Sequence, residues 1–473
     1  MEFTAWLWLV VVELAAAGVA LHALLHKRDP RTAWGWIAVC LIVPALGPAL
    51  YFLLGIDRIR TKARKLEARR GPRSPARHRA FEEAPFFFPQ GPLPPRLMDL
   101  ARLSRSATGR PLTAANAVDV LHDGEAAFPE MLAAIEAARH SVFLTTFIFE
   151  TNGIGREFVD VLARAKKRGV DVRVVVDGIG ELGSLPWAVS LLRKNGVPAE
   201  RFLPPRLYPL TIGWNLRTHH KLLVVDGTVG FTGGMNIGDS YLGGADGRMT
   251  DLHFRLRGPV VAQMAEVFLW DWSFVSHTPL PPLPPPSAAA GGTYCRTFTD
   301  GPNEDEDILV QVLIGVLNTA RERVWVMTPY FLPPAELVSA MVLALHRGVD
   351  VQFVIPERAD VPVVAWAGRH MLGALIERGA RIFYRPRPFA HTKLCLSDDH
   401  YVLIGSGNWD PRSLRLNFEF QVELIDKELN RGLAVHFAQV RRSCRVITTD
   451  ELARRPLPER IRDAVCWLFS PYL

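Results

Sequence analysis

Cysteine is scarce and unpatterned. The five thiols Cys40, Cys295, Cys395, Cys444 and Cys466 are odd in number and show no C-x-x-C spacing. That argues against a disulfide framework or a zinc site and leaves free thiols. No Walker loop, H-E-x-x-H helix or carboxylate cluster occurs, so the sequence carries no signature of nucleotide or divalent-metal chemistry, and no cofactor is expected. Positive charge is missing from most of the chain as well. The net charge is +7 over 473 residues, yet ten basic residues and a single acid, Glu67, fall within residues 58–79. That run carries +9, and everything outside it sums to −2. A nucleic-acid enzyme would carry its positive field around the catalytic domain, so nucleic acid is not an expected partner. With 49% hydrophobic residues the chain is not disordered, and its length suits several domains.

The first sixty residues are apolar in two stretches. Residues 4–25 are almost wholly apolar, and residues 33–56 contain no charged side chain. Each reaches the ~20 residues needed to cross a ~30 Å hydrocarbon layer. The connector, His26-Lys-Arg-Asp-Pro-Arg-Thr32, allows only a tight return. No basic segment precedes the first stretch and a second follows at once, which fits a cleaved signal peptide poorly. A transmembrane hairpin over residues 1–57 is expected, with Pro44, Gly47 and Pro48 tolerated inside its second span. Glu13 in the first span is either a functional group or a carboxyl neutralised at the hairpin interface. Basic residues mark the cytoplasmic flank. An even number of spans, with ten basic residues after the second and three in the connector, places both termini and the large C-terminal part in the cytoplasm. The 58–79 run would lie on anionic headgroups, at about 1 kcal/mol per basic residue.

After a basic and Pro-rich linker, 58–96, the chain repeats itself. Ala138-Arg-His-Ser-Val-Phe-Leu-Thr-Thr aligns with Ala320-Arg-Glu-Arg-Val-Trp-Val-Met-Thr, and Arg168-Gly-Val-Asp-Val-Arg-Val-Val-Val with Arg347-Gly-Val-Asp-Val-Gln-Phe-Val-Ile. The first unit reads helix 129–139, strand 142–149, helix 155–168, strand 171–176. Alternating strands and helices imply βαβ units and a mainly parallel sheet flanked by helices. Two such α/β lobes, 97–277 and 294–473, are separated by a Pro-rich linker, 278–293.

A third match carries chemistry. His219-x-Lys221-x4-Asp226 recurs as His391-x-Lys393-x4-Asp398, and each is followed by a Gly-rich turn and an Asn, in Gly233-Gly-Met-Asn236 and Gly405-Ser-Gly-Asn408. Strand alternation puts each His and Lys on one face and each Asp on the other. The aspartates therefore suit structural ion pairs better than chemistry. His220 points away from the His/Lys face. The apolar run 207–214 before the first motif could line an acyl-chain entrance or simply pack in the core. Near the C-terminus Ile461, Val465, Leu468 and Phe469 share a helical face, which suits either an interfacial helix or one docked on the domain.

Two H-x-K-x4-D motifs with trailing G-G-x-N and G-S-x-N turns resemble the phospholipase D superfamily. The hairpin pattern Pro44-x-x-Gly47-x-x-x-Tyr51-x-x-x-Gly55, the segment Asn408-Trp-Asp-Pro-Arg-Ser-Leu-Arg-Leu-Asn-Phe-Glu419 and the ending Phe469-Ser-Pro-Tyr-Leu473 resemble the membrane-bound bacterial cardiolipin synthases. The resemblance implies two tandem lobes sharing one active site, with phosphatidylglycerol and cardiolipin in an anionic bilayer as substrate and product. It implies His219, Lys221, Asp226, His391, Lys393 and Asp398 as the catalytic motif residues. Lys221, Asn236, Lys393, Ser406 and Asn408 would hold phosphate. His219 would be the nucleophile and His391 the acid/base; the residues by themselves equally allow the reverse. Glu419, 28 residues after His391, matches the family position for a carboxylate that orients a histidine, and Asp251 takes the corresponding place in the first half. The same residues also allow hydrolysis to phosphatidic acid, phosphatidyl transfer to a different acceptor alcohol, a nuclease, or a membrane scaffold without activity.

Overall fold

The computed structural model describes residues 2–27, 30–52, 94–205, 216–243, 247–283, 287–301 and 307–470. The basic run 58–79 and the apolar run 207–214 lie outside the described residues. The chain divides into two units, Met1–Lys65 and Leu66–Leu473.

In the first unit the helix Glu2–His26 contains the segment Trp6–His26, which is long and apolar enough to cross a membrane. The expected second span is not one continuous helix. Helix Pro30–Ile42 stops before Pro44, and a separate turn of helix, Gly47–Leu50, follows. Proline has no N–H to donate, and its ring collides with the carbonyl four residues back. At Gly47 the chain passes so close to the preceding helix that a Cβ would sit 2.7 Å from the Cys40 Cα, so glycine is required there. The two helices meet through Ala16, Ala23, Cys40 and Tyr51, with Val19, Trp36 and Ile37 beside them. His22 Nδ1 and the Tyr51 hydroxyl are 2.8 Å apart. Trp6, Trp8, Leu14, Leu21, Leu25, Trp34 and Ile42 are exposed on the outside. Glu13 is exposed rather than held at the helix interface.

The large unit is built on one sheet. Its first half contributes β1 (Thr113–His122), β2 (Ser141–Thr146), β3 (Asp171–Asp177), β4 (Ala199–Phe202), β5 (Leu222–Val225), β6 (Val229–Gly233) and β8 (Leu252–Arg257). The second contributes β9 (Thr293–Asp300), β10 (Arg323–Met327), β11 (Asp350–Pro356), β12 (Arg381–Arg385), β14 (Leu394–Ser397), β15 (Tyr401–Gly405), β16 (Glu419–Ile425) and β17 (Arg445–Val446). A separate two-stranded ribbon joins β7 (Met249–Thr250) to β13 (Phe389–Ala390). Among the described residues the large sheet runs β17-β12-β11-β10-β14-β15-β16-β9-β1-β8-β6-β5-β2-β3-β4. Beyond β17 the order is mirrored about the β9–β1 seam, so the sequence repeat is also a structural one.

The sheet is mixed, not mainly parallel. Only β2-β3-β4 and β10-β11-β12 pair in parallel. The reason lies in the hairpins β5-β6 and β14-β15, whose turns begin with Asp226 and Asp398 at φ +52 and +49. A short Asp-led turn returns the chain antiparallel, and β8 and β16 continue that sense.

The strand cores are Val, Ile, Leu and Phe, as suits a sheet covered on both faces. Helix Gly153–Lys167 shows how it is covered: Ile154, Phe158, Val161, Leu162 and Ala165 recur at helical spacing and all are buried. The helix expected over 129–139 is Asp123–Ala137, with Pro129 inside it. Helix Pro95–Thr108 packs Leu97 and Leu100 into the core of the second half, beside the almost wholly apolar helix Ile308–Thr319. The start of the expected first lobe therefore covers the second.

Candidate active site

Each H-x-K segment enters its hairpin as extended chain fastened to the opposite half. The His219 N–H donates to the Phe418 carbonyl at 2.8 Å, and the Phe418 N–H to the Arg217 carbonyl at 2.9 Å. In mirror fashion the His391 N–H donates to the Thr250 carbonyl at 2.8 Å, continuing the β7–β13 ribbon. The residues after Phe418 and Thr250 are Glu419 and Asp251. Backbone pairing thus delivers each half's carboxylate to the other half's histidine.

His219 Nδ1 lies 2.9 Å from Glu419 Oε2, and His391 Nδ1 lies 3.1 Å from Asp251 Oδ2. Glu419 follows His391 in the second half and Asp251 lies in the first, so each acid meets the histidine of the other half. A carboxylate on Nδ1 fixes the proton there and leaves Nε2 as the atom open to a substrate. Lys221 Nζ donates to the His219 carbonyl at 2.8 Å and Lys393 Nζ to the His391 carbonyl at 2.6 Å, so each ammonium folds back beside its own histidine. Phe147 borders the first pair, its ring 5.5 Å from both the His219 ring and Lys221 Nζ.

Burial dominates the electrostatics. It lowers the His219 pKa to about 4, with Glu419 opposing and the two lysines reinforcing. His391 is lowered too, first by burial and then by Lys393. Both imidazoles are therefore neutral near pH 7, as a nucleophile or base requires. Burial also brings Lys393 down to about 8, against the pull of Asp251 and Glu419, and lowers Lys221 well below its ordinary value. Burial by itself would raise Glu419, but His219, Lys221 and Ser406 outweigh it and hold the carboxyl below its usual range. Burial thus weakens the hold of both amino groups on their protons, and a negative charge brought beside them would restore it.

Three residues of the expected set make contacts within the fold. Ser406, read as a phosphate contact, donates its hydroxyl to Glu419 and accepts from the Phe420 N–H at 2.9 Å. It braces the carboxylate. Its counterpart in the repeat is Gly234, where a Cβ would come 2.3 Å from Asp251 Oδ2, so glycine makes room for the shorter acid. Asp226 and Asp398 sit at the far end of their strands. Asp226 accepts the N–H groups of Arg139, His140 and Ser141 at 2.7–2.9 Å; Asp398 accepts those of Arg321, Glu322 and Arg323 at 2.8–3.2 Å. They lock the hairpin to the preceding helix-strand joint.

Asn236 and Asn408 are both buried. Asn236 Oδ1 accepts the Ile148 N–H at 3.2 Å, while Asn408 Nδ2 donates to Ser413 at 3.1 Å. Asn408 Oδ1 has no partner among the described residues. His220 turns away onto Asp271, 2.7 Å distant on helix Val260–Ser276.

Other residues emerge only from the structure. Asp177, fully buried at the end of β3, accepts the Thr218 N–H at 3.0 Å and faces Arg217 Nη1 at 3.3 Å, anchoring the entry to the first motif. The Tyr241 hydroxyl lies 3.3 Å from His391 Nδ1 and 3.4 Å from Asn236 Nδ2. Tyr330 donates to exposed Asp360 at 2.6 Å. None lies in a motif. Asp177 at a strand's end before glycine was the one local signal.

Comparison with known proteins matches this arrangement. Residues 131–272 and 313–441 fit the family "Cardiolipin synthase, PLD-like domain", and residues 14–55 fit "Phospholipase_D-nuclease N-terminal". The chain is 32% identical to the major cardiolipin synthase ClsA of Bacillus subtilis (strain 168), with 95% of both proteins covered. It is 31% identical to the cardiolipin synthase of Geobacillus kaustophilus, over 99% of this chain and 94% of that protein. It is 30% identical to that of Listeria monocytogenes over the full length of both. Among solved structures, the phosphatidylserine synthase of Haemophilus influenzae Rd KW20 superposes with a TM-score of 0.64 at 16% identity, covering 79% of this chain and all of that one, a likeness of fold. With both H-x-K segments inside the matched residues, the chain belongs to the cardiolipin synthase family of phospholipase D-like proteins.

Proposed function

We propose that this protein is a cardiolipin synthase in which the two halves form one active site and pass a phosphatidyl group between two phosphatidylglycerols. The observation that carries the reading is the exchange of carboxylates between halves: a histidine of one half is oriented by an acid of the other, so neither half is complete by itself.

In the first step a lipid phosphate lies against Lys221 and Lys393, whose charges oppose that of the pentacoordinate transition state. Asn236 and Asn408 flank it, Asn408 once its amide turns Nδ2 inward. His219 Nε2 attacks phosphorus, and the bond from phosphorus to the headgroup oxygen breaks. His391, protonated as the anionic substrate enters, gives its proton to the departing glycerol. In the second step neutral His391 takes the proton of a second phosphatidylglycerol's hydroxyl. That oxygen attacks phosphorus, the N–P bond breaks, and cardiolipin leaves with His219 restored. One phosphodiester replaces another, so no nucleotide is consumed.

The first unit acts as a two-helix membrane anchor with the large unit on the cytoplasmic side, next to an anionic bilayer that supplies both lipids. Support comes from the exposed apolar side chains around the helix pair and from the basic residues that follow it.

The test is the purified full chain in phosphatidylglycerol vesicles, with cardiolipin, glycerol and phosphatidic acid all measured. Cardiolipin and glycerol in equal amounts are expected; phosphatidic acid as the main product would replace this reading with hydrolysis. His219→Ala and His391→Ala should each lower turnover by at least roughly 10²–10⁴-fold with membrane insertion intact. Full activity in either would defeat the shared site.

A further inference from the structure

Cardiolipin carries two phosphates, and the lysine pair accounts for one. The acceptor brings the other, joined to the attacking hydroxyl through the headgroup's three carbons. A second anion site is therefore required close to His391, and the residues before that histidine supply one.

A cavity of about 200 Å³ opens where β11 and β12 end, lined by Arg358, Arg385, Arg387, Glu357 and Phe389 among others. Phe389 begins the short strand leading into His391, and the two rings are 6.2 Å apart. Glu357 is already engaged by Arg445 at 2.8 Å. Among the described residues, Arg358, Arg385 and Arg387 form no ion pair, whereas neighbouring Arg381 and Arg445 do. Burial pushes Arg385 down, and Cys444 and Asp123 only partly offset it. Three arginines without an ion pair among the described residues line one cavity, and an anion bound bidentately would give them a partner.

We propose that Arg358, Arg385 and Arg387 bind the phosphodiester of the acceptor lipid and so place its hydroxyl at His391. This rests on the transferase reading. It assigns the arginines to the second step alone, because the glycerol released in the first step is neutral and bears no phosphate.

That division is measurable. Labelled glycerol exchanges into phosphatidylglycerol through the first step and its reverse, with no acceptor lipid. In the Arg358→Gln/Arg387→Gln double variant, whose changed residues are exposed, glycerol exchange should fall less than twofold. Cardiolipin formation should fall at least tenfold, with a raised KM for phosphatidylglycerol as acceptor. Inorganic phosphate, which also competes at the lysine pair, should inhibit cardiolipin formation by the unmodified chain more strongly than its glycerol exchange, and that difference should disappear in the variant. Equal loss of both reactions, or loss of neither, would overturn the assignment. Phosphate inhibition together with undiminished cardiolipin formation in the variant would mark a site for free phosphate and overturn it too. An unmodified chain yielding only phosphatidic acid would defeat the transferase reading, and this one with it.

Discussion

The groups that matter most are cations and imidazoles held away from water. Lys393, brought down to about 8 by burial, is charged at neutral pH and loses its proton just above it. A bound phosphate favours the ammonium, so affinity is greatest while Lys393 is protonated and falls as pH rises through the free-enzyme value. Because kcat/KM reports ionisations of free enzyme, its basic limb should begin near pH 8 and descend about tenfold per pH unit. A profile flat to pH 10 would show that Lys393 does not hold the phosphate. His219, lowered to about 4, keeps its attacking form across this whole range and contributes no limb between pH 6 and 8. The two halves differ at this scale: Ser406 with Glu419 on one side, Gly234 with Asp251 and the Tyr241 hydroxyl on the other. Unequal surroundings suit unequal roles for two histidines whose motifs look alike.

Among the elements, the hairpins β5-β6 and β14-β15 do most to fix the site. Their first halves carry the lysines inward, and their turns are pinned by Asp226 and Asp398. Asp226→Ala removes three backbone acceptor contacts and leaves an alanine at φ +52, which L-residues other than Asn and Asp rarely adopt. A loss of about 2–3 kcal/mol in denaturant unfolding is expected, with Asp226→Asn milder. The N–H bonds overcome burial and lower the Asp226 pKa. Its charge-dependent stabilisation is therefore present above the ordinary carboxylate value near 4 and is lost as pH falls through the lower folded value. KM and kcat at pH 7 should change little in the folded fraction; a large loss there would return Asp226 to the chemistry. The helix Leu457–Leu468 presents Leu457, Ile461, Val465 and Leu468 to solvent, with Phe469 exposed just beyond.

At the scale of the large unit, continuity is the controlling fact. The sheet runs unbroken through the β1–β9 seam, helix Pro95–Thr108 packs on the second half, and both H-x-K segments hydrogen-bond across. Halves joined in these ways should not unfold separately. Urea unfolding of residues 94–473 should show coincident transitions by far-ultraviolet circular dichroism and tryptophan fluorescence. Two resolved steps would mean that the lobes are independent domains, as the Pro-rich linker suggested.

The sequence by itself determined the repeat, the H-x-K motifs, the helix-strand alternation and the apolar N-terminal segment, because each is written in local spacing. His219 and Lys221 are two residues apart, and strand geometry alone puts them on one side. Which strands run antiparallel, where the second apolar stretch breaks, and which acid serves which histidine were decided only in three dimensions. Glu419 reaches His219 from 200 residues away, and that encounter is set by hydrogen bonds between Phe418 and the chain at Arg217 and His219. No spacing along one chain encodes a partner delivered by pairing between two.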